Sequence, residues 1–440
     1  MEECVMADDV GPPLLSEEVH AAVCQLKEKK AAREDNITAE MLKNMGEARI
    51  MALTELCQHI HEKGVWPEDW TSQLITIKKT TKAIRCEDHR TISLVSHASK
   101  LLLKVLHHRI EARSKDYIGI DQFGFRKGVG TREAFAVMKI LSERCIQHDQ
   151  DLYICFEDYE KAFDRVNWTR LMEVLSAISV DWRDRRLIAS LYMSQTASIH
   201  IGDGVSEPAV IGRGTRQGCL LSPLLFNIYA EAMVREALAT LQEGVNVGGV
   251  LIKSVRYVDD QATLAVTADG LRRQMVQMDQ VVRSYGMRIN EKKMKVMMTS
   301  KAKTKEITIM INGNRLVQVN HFKYLGSVLT EDGKSAKDVN LRSALARAPF
   351  TQQDILMSHN IDPSLRKRLV KSLVWNVLLY GAETWTLARK DIQRLEAVEM
   401  WCWRKLLDVS WRDRVSNEEV LHRVQEKRVL LQTIKKRQKK

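Results

Sequence analysis

Two short runs in this 440-residue sequence hold carboxylates that backbone geometry could aim together. The first is Arg256-Tyr257-Val258-Asp259-Asp260-Gln261, preceded by Val250, Leu251, Ile252 and Val255 and followed by Ala262, Leu264, Ala265 and Val266. Two β-rich runs joined by an acidic pair read as a hairpin with the carboxylates at its tip. The second run is Leu152-Tyr153-Ile154-Cys155-Phe156-Glu157-Asp158-Tyr159-Glu160-Lys161-Ala162-Phe163-Asp164. Leu152 to Phe156 reads as a strand with Asp158 at its end. Alternation puts Asp158 on one face with Phe156, and Glu157 on the other. If the two runs pair in one sheet, Asp158 and Asp259 could converge at its edge. Such a site would suit Mg²⁺, a hard cation held by one or two carboxylates plus substrate phosphates. Two such ions can stabilise both the attacking and the leaving oxygen of a phosphoryl transfer. Each run also has a plain reading. Asp259 and Asp260 can form a solvated turn, and Asp158 can cap a helix over 160–166.

Three segments together narrow the choice. Phe156 to Asp164, then Arg216-Gln217-Gly218-Cys219-Leu220-Leu221-Ser222-Pro223-Leu224-Leu225-Phe226, then Tyr257-Val258-Asp259-Asp260 resemble motifs A, B and C of reverse transcriptases, in the form found in non-LTR retrotransposons. The resemblance extends from about residue 16 to the C-terminus. It implies an α+β, right-hand polymerase fold. The expected parts are a disordered tail over 1–15, an N-terminal extension and fingers over 16–150, a palm over 151–330, a helical thumb over 331–410, and a basic C-terminal helix and tail over 411–440.

The resemblance also implies roles. The reaction is RNA-directed addition of deoxynucleoside triphosphates to a DNA primer, with Asp158, Asp259 and Asp260 around Mg²⁺ or Mn²⁺. The carbonyl of Tyr159 joins one ion. Phe163 resembles the aromatic gate that collides with a 2′-hydroxyl. Gln217 and Gly218 position the template base and the nucleotide sugar. Lys79 and Arg90 contact phosphates, against the plain reading of a solvated basic loop. Phe125, Arg126 and Lys127 resemble a template-contacting loop, with a Gly-rich turn as the alternative. Tyr324, Leu325 and Gly326 resemble the primer-grip region. The run from Gly286 to Lys293 resembles motif D. Lys293 there is a candidate general acid for pyrophosphate departure, and a solvated lysine is an equal reading. Elements of this kind carry an endonuclease upstream, and none is seen in this sequence. The chain is therefore expected to be part of a longer polyprotein or a truncated copy, with the endonuclease as a partner and no oligomeric state indicated.

Several positions depart from the family pattern. The usual Pro-Gly turn is replaced in Ala31-Ala32-Arg33-Glu34-Asp35, and Arg-Pro by Arg90-Thr91. Met294 stands where Thr or Ser is usual, and Glu157 replaces an apolar residue. Alternation points Glu157 into the core, where an unpaired carboxylate costs on the order of several kcal/mol or becomes neutral. On that expectation Glu157→Ile stabilises the fold, and a catalytically inactive, nucleic-acid-binding relic is the alternative function. A group II intron maturase is weaker, since no maturase or HNH extension follows the thumb.

The remaining features set bounds. A net charge of +12 and a pI near 9.2 fit a polyanionic partner. The eight cysteines include no Cys-x-x-Cys pair, which argues against zinc fingers and disulfides. No signal peptide or membrane span is visible, so the expected location is intracellular, in nucleus or cytoplasm. Helical periodicity appears over 38–45, 48–62 (Leu53, Leu56, Cys57 and Ile60 inward, Gly64 as stop), 97–114, 131–147, 168–178, 182–193, 223–241 and 270–285. Leu74, Ile75 and Ile77 read as a strand. Hairpins are expected around Gly202-Asp203-Gly204 and around Asn312-Gly313-Asn314, the latter between strands over 307–311 and 316–319. Tyr380-Gly381-Ala382-Glu383-Thr384-Trp385 is typical of these retroelements. Lys435 to Lys440 reads as a disordered basic tail.

Overall fold

The computed structural model describes the chain except residues 1–10, 31, 33–34, 68–69, 71–72, 79–84, 86–88, 194–195, 198, 202–203, 206, 208, 303–305, 353–355, 357, 359 and 440. In chain order, α1 (Ser16–Cys24), α2 (Glu47–Lys63), β1 (Gln73–Lys78), β2 (His89–Leu94), α3 (His97–Ser114) and α4 (Thr131–Gln147) precede β3 (Leu152–Glu157). Then come α5 (Trp168–Ala177), α6 (Trp182–Met193), α7 (Ser222–Leu238), β4 (Ser254–Tyr257) and β5 (Asp260–Ala265). The C-terminal part holds β6 (Lys295–Thr299), β7 (Val317–Gln318), β8 (His321–Tyr324), β9 (Ser327–Thr330), α8 (Ala336–Leu345), α9 (Arg389–Leu406) and α10 (Leu430–Gln438). Local chemistry sets several of these boundaries. The Ser96 hydroxyl accepts from Ser99 N at 3.1 Å and caps α3. Gly64, with φ +70°, stops α2. Pro223 sits in the first turn of α7.

The chain divides into two compact units. The first comprises Met1–Phe125, Asp158–Leu241 and Gln274–Asn290. Here β1 pairs antiparallel with β2, and Ile199–Ile201 adds to β1 in parallel. A buried polar network ties the helices together. The His61 ring nitrogen lies 2.7 Å from Asp184 Oδ1, and Arg109 forks onto Glu18 while bonding the carbonyls of Pro12 and Pro13. These two prolines lie in the expected N-terminal tail, so residues 12 and 13 are held against α3. On α2, Leu56 is 44% exposed, and the buried positions are Thr54, Cys57, Ile60 and His61. The inward face is thus rotated from the expected one, and it takes in a histidine whose acidic partner comes from α6.

The second unit comprises Arg126–Glu157, Gln242–Arg273 and Glu291–Lys440. Its sheet has the order β4-β5-β3-β6-β7. All pairs are antiparallel except β6 with β7. Strand β3 is central and, apart from Tyr153, buried. Gln261 pairs with Glu157, and Lys295 pairs with Phe156. The expected hairpin around Asn312-Gly313-Asn314 is shorter than read. Met310–Ile311 pairs with Asn314–Arg315, while β7 leaves it and joins β6 in parallel. Adding β7 to the sheet edge satisfies backbone groups that a longer hairpin would have left at the rim.

Helices α8, α9 and α10 share one apolar core with Val374, Trp375, Leu378, Trp385 and Val424. Its last contributors, Leu430 and Ile434, are fully buried. The disordered basic tail expected from Lys435 is therefore corrected, since α10 runs to Gln438. Glu399 Oε1 accepts from Val429 N and Leu430 N and holds the helix start. Arg437 and Gln438 bond the carbonyls of Leu379 and Trp385, each at 2.8 Å. The sequence hid this because the two buried aliphatics are outnumbered by lysines that face solvent.

A Leu430→Ala substitution is expected to cost about 2 to 5 kcal/mol in urea denaturation. An unchanged midpoint would mean that α10 does not contribute to the core.

Candidate active site

In the second unit, β4 and β5 are joined through Val258 and Asp259, with Tyr257 paired to Asp260. Val258 has φ +62°, a left-handed conformation that β-branched residues avoid. Its side chain is nonetheless buried. A strained residue at the tip of a short hairpin fixes the direction of the two carboxylates that follow it. Asp259 is half-buried and Asp260 is exposed.

Glu157, the last residue of β3, is 4% exposed. Its carboxylate accepts from the Thr263 hydroxyl and from Gln261 Nε2 at 3.4 Å. Gln261 Nε2 also bonds Thr263 Oγ1 at 3.1 Å. The unpaired carboxylate expected from the sequence is therefore corrected to a bonded one. Alternation sent Glu157 inward as expected, but the partners lie on β5, in a register that only the sheet reveals. Burial pushes its pKa up to about 7, against the opposing hydrogen bonds from Thr263 and Gln261.

Asp158 is half-buried and follows Glu157 directly. It does not cap a helix, since the next one is Ala162–Arg165 with Lys161 at its start. Instead the chain after Asp158 is laced to the start of motif D. Asn290 N donates to Asp158 O at 2.8 Å, Glu160 N donates to Arg288 O at 2.9 Å, and Tyr159 bridges Ile289. The Tyr159 side chain is buried. Lys293 comes three residues after Asn290 and is exposed.

The motif B loop and Phe163 meet within the first unit. Phe163 stacks on Phe226 of α7, with ring centroids 4.6 Å apart. Thr215 N donates to Phe163 O at 2.7 Å, and Gly214 N donates to Val166 O at 2.8 Å. On the other side, Ser93 N of β2 donates to Gln217 O at 2.6 Å. The Gln217 amide reaches Asp164 Oδ1 at 3.3 Å. Gly218 has φ +95°, and a Cβ there would lie 2.8 Å from Ser93 O. Only glycine lets this loop lie so close to β2.

The other expected contact residues sit on separate elements of the chain. Lys79 lies outside the described residues. Arg90 is on β2, paired with Ile77. Phe125 is 61% exposed at φ +54°, beside a Gly124 whose carbonyl accepts from Asn227 Nδ2 at 2.8 Å. Arg126 and Lys127 follow it in a turn. Tyr324, at the end of β8, is 3% exposed. Its hydroxyl donates to Val255 O at 2.9 Å and lies 3.3 Å from Asp260 O. Leu325 and Gly326 form the β8–β9 turn with φ +48° and +87°. Sequence reasoning missed Thr263 and Gln261, and also Asp164, which the motif A run contained without a role.

Among the described residues, no group of three or more His, Cys, Asp or Glu side chains is gathered to hold a metal. The aspartates offer only oxygen donors. That chemistry fits Mg²⁺ or Mn²⁺, which take their remaining ligands from water and phosphate. No helix among the described residues is long and apolar enough to cross a membrane.

Comparison with known proteins places these features in context. The family described as reverse transcriptase (RNA-dependent DNA polymerase) matches residues 77–329, more than half of the chain. The chain is 24% identical over 420 residues to the RNA-directed DNA polymerase from mobile element jockey of Drosophila funebris, covering 92% of this chain and 45% of that protein. It is 25% identical over 337 residues to the retrovirus-related Pol polyprotein from type-2 retrotransposable element R2DM of Drosophila melanogaster, covering 73% and 31%. The chain thus spans less than half the length of these relatives.

The buried acid has a testable signature. From pH 4.5 to about 7 the folded chain keeps the Glu157 proton while the unfolded chain releases it. The Glu157 contribution to stability is then full below pH 4.5 and falls as pH rises to about 7, by on the order of 3 kcal/mol. Glu157→Gln, measured by denaturant melts without divalent cations, should remove this slope. Glu157→Ile should lower the melting temperature by stranding Gln261 and Thr263. A more stable isoleucine variant would show that the bonds contribute nothing.

Proposed function

Because the chain belongs to the reverse transcriptase family, we propose that it copies an RNA template by adding deoxynucleotides to a primer 3′-hydroxyl, as the polymerase portion of a non-LTR retrotransposon product. The observation that carries this reading is the β4–β5 hairpin. It puts Asp259 and Asp260 at a strained turn, in the register that sets Gln261 against Glu157, the residue before Asp158. The proposed site is Asp158, Asp259 and Asp260, with the Tyr159 carbonyl as a further oxygen donor. A divalent cation bound there, Mg²⁺ or Mn²⁺, would activate the 3′-hydroxyl and neutralise charge on the triphosphate.

The protein's own groups do the rest. Phe163, fixed between Phe226 and the Thr215 backbone bond, presents a ring edge to the nucleotide sugar and rejects a 2′-hydroxyl. Gln217 and Gly218 place the nucleotide against β2 through the backbone, while Lys79 and Arg90 draw in its phosphates. Lys293 delivers a proton to the departing pyrophosphate. Phe125 offers a base-stacking face, and Arg126 and Lys127 offer charge to the template backbone. The Leu325–Gly326 turn touches the primer end, with Tyr324 anchoring it. An endonuclease acting upstream or separately would supply the primer. The reading of an inactive relic rests on Glu157 together with the replaced Pro-Gly and Arg-Pro residues, and the bonds made by Glu157 support the active reading at the first of these positions.

Primer extension on an RNA template, with deoxynucleotides and Mg²⁺ or Mn²⁺, tests the reading. Wild type should extend. Asp259→Asn should lose extension while retaining RNA affinity. Equal extension by both would sink the site assignment, and a folded, RNA-binding wild type without product would favour the relic. Phe163→Val should admit ribonucleotides, read as their incorporation relative to deoxynucleotides. Unaltered sugar selection would remove Phe163 from the gate.

A further inference from the structure

The motif from Tyr380 to Trp385 has no role in the reading above, yet its side chains make directed contacts in the second unit. The Tyr380 hydroxyl donates to Leu325 O at 2.7 Å, and Thr131 Oγ1 at the start of α4 lies 3.3 Å away. Arg342 of α8 donates to Gly326 O and stacks its guanidinium 4.3 Å from the centre of the Tyr380 ring. Both carbonyls of the β8–β9 turn are thus held by side chains from the helical part of the unit. The turn has no room to drift toward them. A Cβ on Gly326 would lie 3.2 Å from Tyr380 Cε1, and one on Gly381 would collide with Ser327 Oγ.

Behind this contact stands a buried carboxylate. Asp338, 1% exposed, accepts from Val328 N of β9 at 3.0 Å and from Trp385 Nε1 at 2.8 Å. The segment is pinned further along. Thr386 N donates to Ser335 Oγ at 3.0 Å, and the Trp385 carbonyl accepts from Gln438 of α10. From the opposite side, Tyr324 ties the turn to the backbone of the Asp259–Asp260 hairpin. The two-residue turn is therefore clamped between the acidic hairpin and the helices.

We propose that Tyr380, Arg342, Asp338 and Trp385 are positioning residues that set the Leu325–Gly326 turn, and through it the primer 3′ end, relative to the acidic hairpin. This rests on the reading of that turn as a primer contact. None of the four touches the reacting atoms. They act by fixing the two carbonyls of a turn whose residues both adopt positive φ, and one amide of the strand β9 that follows it. A turn of that kind has little conformational preference of its own for a leucine, so external bonds decide where it sits. A shift on the order of 1 Å in the primer end suffices to lower the rate about a hundredfold.

Tyr380→Phe removes only the hydroxyl and keeps the ring under Arg342. Trp385→Phe removes the donor to Asp338. In the full chain, both should speed hydrogen exchange in peptides covering residues 322–330, Tyr380→Phe with little change in melting temperature and Trp385→Phe with a lower one, because it leaves the buried Asp338 carboxylate short of a donor. In single-nucleotide addition, Tyr380→Phe should lower kcat by roughly ten- to a hundredfold, leave the KM for the nucleotide within about twofold, and weaken primer–template affinity. Trp385→Phe should follow with a smaller loss. Unchanged exchange in the turn would overturn the proposal. Faster exchange with unchanged kcat and primer affinity would overturn it too, by showing a brace that positions nothing. A kcat loss in Tyr380→Phe matched by lower melting temperature and recovered on cooling would reduce it to plain stability. If wild type adds no nucleotide, the polymerase reading fails instead. Primer–template affinity then decides, because Tyr380→Phe must still lower it.

Discussion

The pairing of β3 with β5 is the constraint on which the second unit depends. β3 is central, so any slip of one residue would turn every side chain to the wrong face. The hydrogen bonds from Thr263 and Gln261 to Glu157 oppose such a slip at the end of the strand that leads into Asp158. A buried acid is a poor source of net stability. It is a good source of register, because only one alignment satisfies it. The same pairing carries Asp260 at the start of β5, and the strained Val258 just before it.

A second constraint operates in the first unit, where backbone rather than side chain decides. The loop from Gly214 to Gly218 is bonded to the residues after motif A on one side and to β2 on the other. Gly214 and Gly218 adopt positive φ at points where a Cβ would meet backbone atoms within 3 Å. Phe163 and Gln217 inherit their positions from these contacts. The Phe163 ring and the Gln217 amide, which bonds Asp164, thereby belong to one hydrogen-bonded assembly.

The helical part of the second unit combines an apolar core with a few directed polar contacts. Its core is apolar and continuous, from Val339 to Ile434. Three of its polar residues are directed at the β8–β9 hairpin. Asp338, Arg342 and Tyr380 spend their hydrogen bonds on Val328, Gly326 and Leu325. Buried polar groups placed this way specify geometry more than they add stability, because each is costly when left unpaired.

Much of the fold was legible in the sequence, and for identifiable reasons. Helices 97–114 and 131–147 carry long apolar stripes and clear caps, so their periodicity alone located them. The acidic hairpin was legible because two β-rich runs closed on Asp259 and Asp260, and the family followed from three motifs in order. What the sequence could not decide were pairings between residues far apart in the chain. Glu157 looked like an uncompensated charge because Thr263 lies 106 positions away and faces it only through the β3–β5 register. The C-terminal lysines looked like a loose tail because two buried aliphatics, Leu430 and Ile434, meet a core assembled from distant helices. The motif around Tyr380 had a recognisable spelling but no visible task until the fold brought it to Leu325. Local patterns report what a segment prefers, and periodicity reads them directly. Partners across a sheet or a helix bundle are chosen by packing of the whole unit, and that information appears only in the tertiary structure.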